Sequence, residues 1–197
     1  MFFLVTPRGS PMVPKAIDLF AGPGGLSLGL QRSGFEVIGA VEWDKDAGDT
    51  YRLNFDHPSE QKDITRYSAK DFRDSLEKGG LLESGEMVDL VAGGPPCPGF
   101  SLIGRSKIAD LIKKGEYGDS KEFRHRFIDD PRNGLFKEFV KYVDEFQPSY
   151  FVMENVSGMT SYQIDEDPIV EVIMGSFNGY LVRYRILNSA DFGVPQD

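Results

Sequence analysis

Residues able to do chemistry cluster at five places in this chain, and each cluster follows an apolar run. Val91–Ser101 reads VAGGPPCPGFS and holds the one cysteine among 197 residues. Pro95, Pro96 and Pro98 stiffen the backbone on both sides of Cys97, because the pyrrolidine ring locks φ. A thiolate in a held geometry with an acid/base partner can do covalent chemistry. A carboxylate suited to that role, Glu154, follows another apolar run in YFVMENV. Taken singly, Cys97 also reads as a small buried hydrophobe, and Glu154 as a strand-end acid.

The remaining clusters suit a cofactor. DLFAGPGGLSLGL places glycines at 22, 24 and 25, where backbone can approach a ligand closely and offer free N–H groups at a helix start. The same glycines also suit a tight turn with no ligand. The G-x-G-x-x-G spacing of dinucleotide sites is absent, as is the Gly-Lys-Ser/Thr of a phosphate loop, so a cofactor without phosphates is expected. Glu42-Trp43 closes the next apolar run. A carboxylate there can accept both hydroxyls of a ribose, and an indole can stack on a purine. Alone, the pair reads as a partly buried tryptophan beside a surface acid. Asp63-Ile64 can hold an adenine amino group and cover its face. The three clusters together describe an adenosine pocket across neighbouring strand ends. No metal site is expected.

The elements that position these clusters alternate. Strands are predicted over Lys15–Phe20, Glu36–Glu42, a weak third closing at Asp63-Ile64, Met87–Ala92, Tyr150–Glu154 and Tyr180–Leu187. Helices are predicted over Leu26–Ser33, from an Asp44 cap to Asn54, over Leu135–Phe146 and over Pro168–Phe177. Such alternation implies an α/β fold with a doubly wound, mostly parallel sheet and right-handed crossovers. Ligands then sit at the carboxyl ends of the strands, which is where all five clusters fall. Leu102–Arg132 is the one long irregular stretch, and loops of that length are usually functional or mobile.

Composition narrows the setting. Hydrophobic residues at 40% and charged residues at 27% suit a globular chain with a real core. The length suits one domain, 15–197. A lone cysteine cannot form an internal disulfide, so a reducing, cytoplasmic setting is expected, and no apolar run is long enough to span a membrane. The net charge of −9 argues against coating nucleic acid by charge alone. However, seven basic and four acidic residues fall between Leu102 and Arg126, a local surplus compatible with nucleic acid meeting one face. Met1–Pro14 has no periodicity. Its LVTPRGS resembles a protease-site linker of a recombinant fusion, so it is set aside as tag-like.

DLFAGPGG, GGPPCPGFS and ENV, in that order, resemble the cytosine-C5 DNA methyltransferase family. EWDKDAGDTYRLNF, DPRNGLF and LNSADFGVPQ extend the resemblance from about Ala16 to the last residue. It implies the Rossmann-like fold of S-adenosylmethionine-dependent methyltransferases. It also implies methyl transfer from S-adenosylmethionine to C5 of a flipped cytosine in double-stranded DNA, leaving S-adenosylhomocysteine. In that chemistry Cys97 attacks C6, Glu154 holds N3 and the exocyclic amine, and Asn155 positions the motif. Phe20, Gly22, Gly24, Leu26, Glu42, Trp43, Asp63, Ile64, Pro95 and Leu135 fall at cofactor positions. Ser101 and Arg105 are candidates for DNA contact in a loop, about 102–132, expected to close over the flipped base. A restriction-modification role is implied. A transfer-RNA cytosine methyltransferase and a non-catalytic regulatory module of the same fold are the alternatives.

Two departures stand out. The residue after the cysteine is commonly Gln in the family and is Pro98 here, a variation some members share. The chain stops at FGVPQD, where the family continues with an Arg-x-Arg pattern, a target-recognition domain and a last motif that completes the cofactor pocket. The expectation is therefore a truncated form, one half of a split enzyme with a separate C-terminal subunit, or a disrupted gene product, weak or inactive by itself.

Overall fold

The computed structural model of the chain describes residues 13–96, 114, 134–161, 163–164 and 167–195. Cys97, Ser101, Arg105 and, apart from Lys114, the 102–132 stretch lie outside the described residues, as do residues 1–12 of the tag-like segment.

The chain forms two compact units, Met1–Pro96 with Lys137–Glu154, and Cys97–Phe136 with Asn155–Asp197. The first is built on a five-stranded parallel sheet: β1 (Lys15–Leu19), β2 (Glu36–Glu42), β3 (Ser59–Gln61), β4 (Leu90–Gly93) and β5 (Tyr150–Met153), in the order β3-β2-β1-β4-β5. Every strand pair is parallel. The interior strands are near-continuous apolar runs, as strands covered on both faces must be: Ala16, Ile17, Leu19, Val37, Ile38, Val41, Val91 and Ala92 are all buried. The connections carry α1 (Gly25–Arg32), α2 (Lys45–Asn54), α3 (Ala69–Lys78) and α4 (Phe136–Phe146).

Local chemistry fixes these boundaries. Asp44 caps α2 by accepting the Ala47 N–H at 2.8 Å, as predicted. Ser68 caps α3 by accepting the Asp71 N–H at 3.1 Å, while the Asp71 carboxylate takes the Ser68 hydroxyl at 2.7 Å. The prediction missed α3. It turns Ala69, Phe72 and Leu76 inward at i, i+3 and i+7, and Phe72 meets Tyr142 and Phe146 of α4 at ring separations of 6.1 and 6.0 Å.

Three expectations are corrected. The third strand is Ser59–Gln61, not a run closing at Asp63-Ile64, because the Asp63 carboxylate takes the Thr65 N–H and hydroxyl at 3.0 and 2.7 Å and turns the chain. The fourth strand begins at Leu90, with Met87 exposed. Tyr180–Leu187 is not a strand. Its alternation is real, but residues 181–187 join no sheet among the described residues, and Leu181, Tyr184, Ile186 and Leu187 are exposed.

In the second unit a 3₁₀ turn (Ser157–Ser161) packs against α5 (Ile169–Met174), which is shorter than the predicted 168–177 helix. A two-residue antiparallel pair, β6 (Gln163–Ile164) and β7 (Asp167–Pro168), precedes that helix. Asn188 caps a 3₁₀ turn at Ser189–Phe192. Among the described residues no helix is long and apolar enough to cross a membrane.

Candidate cofactor and catalytic site

In the first unit all five strands end on the same edge of the sheet, so the segments that follow them form one rim. The strand order reverses between β1 and β4, since β2 lies on one side of β1 and β4 on the other. Open α/β sheets bind ligands at such a switch point.

The turn after β1 is strained and tightly supported. Phe20 has φ +56°, a left-handed conformation rare for a non-glycine residue, and Gly22 and Gly24 follow at +55° and +100°. Strain of this kind persists only where the surroundings enforce it, and it concentrates at ligand sites. Three contacts enforce it here. The Ala21 N–H donates to the Val41 carbonyl at 3.2 Å, and the Gly24 N–H to the Ala21 carbonyl at 3.0 Å. The Phe55 ring, at the end of α2, occupies the space a Cβ on Gly24 would need.

Glu42 joins the turn to β2. Its Oε2 accepts the Gly22 N–H at 2.7 Å and its Oε1 the Asp44 N–H at 2.7 Å. The carboxylate is thus fixed at the strand end with lone pairs to spare. Trp43 beside it is 72% exposed, a free aromatic face. Ile64 is buried and Asp63 half-buried. Thr65 donates to Asp63 Oδ1, which holds that carboxyl below the ordinary carboxylate range. Leu26 is half-buried and packs on Ala16, Leu30, Val37, Leu90 and Ala92, so it supports the turn from the core side.

At the end of β4 a Cβ on Gly93 would collide with the Leu19 carbonyl, which explains why β1 and β4 approach so closely there. The next residue, Gly94, lies against Glu154: a Cβ on it would stand 3.1 Å from Glu154 Oε2. The Glu154 N–H donates to the Gly93 carbonyl at 2.9 Å, which ties the two strand ends together. Pro95 is buried and Pro96 exposed. Leu135 and Asn155 belong to the second unit, where the Asn155 side-chain oxygen accepts the Val156 N–H at 2.9 Å.

Sequence reasoning passed over the residues beneath the turn. Asp18 is fully buried in β1 and bonded to Ser27, which meets Tyr51. The available signal was a carboxylate inside the apolar run KAIDLF.

The residues present fit S-adenosylmethionine. Apart from Gly22 and its two chain neighbours, no described atom lies within 4 Å of the point where a Cβ on Gly22 would stand, so the turn leaves room there. Two residues before the turn, Asp18 is fully buried with its Oδ1 unpartnered among the described residues.

A parallel sheet ordered 3-2-1-4-5, with a glycine turn after its central strand and an acid after its second, defines the Rossmann-like methyltransferase fold. A solved structure with this fold is a putative DNA modification methyltransferase encoded within an E. coli prophage. It has a TM-score of 0.60 and 32% identity, over 84% of this chain and 38% of that one. This chain belongs to the C-5 cytosine-specific DNA methylase family, whose sequence profile matches residues 14–197. Type II methyltransferase M1.HphI of Haemophilus parahaemolyticus is 40% identical over 91% of this chain and 42% of its own length. M.DdeI of Desulfomicrobium norvegicum is 40% identical over 91% and 37%. M.AquIA of Picosynechococcus is 37% identical over 94% and 68%. The chain thus spans about two fifths of the first two relatives and about two thirds of the third.

Proposed function

We propose that this chain carries the cofactor half and the nucleophile of a DNA cytosine-C5 methyltransferase of the type II restriction-modification kind, acting on double-stranded DNA in the cytoplasm. The observation that carries the reading is the Glu154 carboxylate lying against Gly94, three residues before Cys97. An acid at the end of β5 and a proline-stiffened cysteine after β4 then serve one flipped base.

Bound S-adenosylmethionine supplies an electrophilic methyl group. Glu42 would hold it through the ribose hydroxyls, Trp43 would cover the adenine, and Asp63 would accept from the adenine amine. The Cys97 thiolate adds to C6 of the cytosine while Glu154 hydrogen-bonds protonated N3, so the electron pair displaced from the 5,6 double bond is available at C5. C5 would take the methyl as the sulfonium leaves as the neutral thioether S-adenosylhomocysteine; a base would then remove the C5 proton, and the C–H electron pair would re-form the 5,6 double bond and expel the thiolate. A target-recognition segment, in the same polypeptide or as a separate subunit, completes the reading. The greater length of M1.HphI and M.DdeI supports it.

Calorimetric titration with S-adenosylmethionine tests the cofactor half. Saturable binding that weakens in Glu42→Ala is expected. Binding indifferent to that substitution would remove the basis of the reading.

A further inference from the structure

A carboxylate in the middle of a central strand needs partners. Asp18 is fully buried. Its neighbours across the sheet are Ala40 and Ala92, and its Oδ1 has no hydrogen-bond partner. Its Oδ2 begins a chain of three short hydrogen bonds. The Ser27 hydroxyl donates to it at 2.6 Å. Ser27 Oγ lies 2.7 Å from Tyr51 Oη, and Tyr51 Oη lies 2.6 Å from His57 Nε2. The other ionisable groups acting on this chain are Glu42, whose charge disfavours ionised Asp18, and Asp56, which acts on His57.

Each hydroxyl carries one proton, so the chain has a direction. With Asp18 ionised, Ser27 donates to it, Tyr51 donates to Ser27, and His57 Nε2–H donates to Tyr51. With a proton on Asp18 Oδ2, every bond reverses, and His57 must present a bare Nε2 and carry its proton on Nδ1. A proton on Oδ1 would have no acceptor.

The chain also underlies the cofactor turn. Asp18 stands two residues before the strained Phe20, and Ser27 is in the first turn of α1. The Tyr51 ring lies 4.5 Å from that of Phe55, which fills the space beside Gly24.

We propose that Asp18, Ser27, Tyr51 and His57 share one proton as a positioning relay, and that the charge it leaves beneath the turn favours the sulfonium cofactor over its neutral thioether product. The inference rests on the cofactor reading above. Burial, only partly offset by the Ser27 hydrogen bonds, pushes Asp18 up to about 6, so the relay changes state near neutral pH.

The test is an NMR titration of the Asp18 carboxyl carbon and the His57 ring in the cofactor-free chain. Calorimetry with S-adenosylmethionine and S-adenosylhomocysteine from pH 5 to 8 accompanies it. Both nuclei are expected to report the same coupled steps. Tyr51→Phe is expected to uncouple them and move the Asp18 midpoint upward, because the donor chain that favours the carboxylate is cut. The affinity ratio of cofactor to product is expected to rise several-fold with pH and to follow the Asp18 midpoint in each variant. His57→Gln, which keeps a donor but does not titrate, should leave Asp18 a simple one-step curve. Independent titrations unmoved by Tyr51→Phe, an unchanged two-step curve in His57→Gln, or a flat affinity ratio would each overturn the inference. Coupled titration in a chain that binds neither compound would instead overturn the cofactor reading.

Discussion

Glu42 Oε2 accepts the Gly22 N–H at 2.7 Å across twenty residues of sequence, so the acid at the end of β2 holds the turn at the end of β1. Its second oxygen holds the Asp44 N–H at the start of α2. One carboxylate therefore sets the spacing of two rim segments before any ligand arrives. Glu42→Ala leaves both N–H groups without that acceptor. It is expected to weaken S-adenosylmethionine binding by roughly ten- to a hundred-fold, about 1.4–2.8 kcal/mol. Glu42→Gln, which keeps one acceptor, should lose less. Calorimetry on the two variants checks the order.

Gly24 and Phe55 make a second testable pair. Gly24→Ala puts a methyl group into the space of the Phe55 ring at a φ of +100°. Overpacking and backbone strain together should cost about 2–4 kcal/mol. Adding Phe55→Ala relieves the collision and leaves the strain, so the double variant should be more stable than the sum of the two single losses predicts. Urea denaturation of the four proteins measures this coupling.

Asp18 gives stability a pH dependence of definite sign. Its folded value is raised to about 6 from 3.8 because burial penalises the charged form. The folded state therefore holds the proton more tightly than the unfolded chain. The stabilisation is fully present below about pH 4 and is lost as pH rises through about 6, on the order of 2–3 kcal/mol. His57 is lowered by burial, so its contribution is present above its unfolded value and is lost as pH falls. Asp18→Asn should remove the first component. The wild-type minus variant difference in unfolding free energy should then fall between pH 4 and 6 and level off above.

Arg73 locks α3 to the end of α4. Its Nε meets Glu145 Oε1 at 3.0 Å, its two Nη groups donate to the Glu86 and Glu145 carbonyls at 3.1 and 3.0 Å, and its guanidinium lies 4.5 Å over Phe146. A lysine cannot reproduce that planar fork. Arg73→Lys is expected to cost about 1–3 kcal/mol, well above the effect of removing the exposed helix pair made by Lys70. Chemical denaturation distinguishes them.

Much of this was legible in the sequence because the strand ends carry unusual residues. β2 and the capped α2 fall where predicted, and α4 begins one residue later. α3 was not legible, since only Phe72 and Leu76 are large apolar residues in a helix otherwise rich in charge. Tyr180–Leu187 misled for the opposite reason. It has a strand's alternation, yet residues 181–187 join no sheet among the described residues. Glu42 was legible as an acid at a strand end, but its grip on Gly22 was not, because that contact depends on the left-handed turn. The Asp18 relay joins residues 9, 24 and 6 positions apart, spacings that no local pattern displays.

The order of the strands also bears on how the chain acquires its shape. β1, β2 and β3 pair in succession within Lys15–Gln61, whereas β4 must return to β1 from more than seventy residues away. Near contacts close faster than distant ones, and a chain leaves the ribosome from its N-terminus. The first three strands can therefore assemble while the rest is still being made. All four residues of the buried relay lie within that early segment. Asp18 and its partner Ser27 are thus both available to pair before Ala92, its neighbour on β4, has been made.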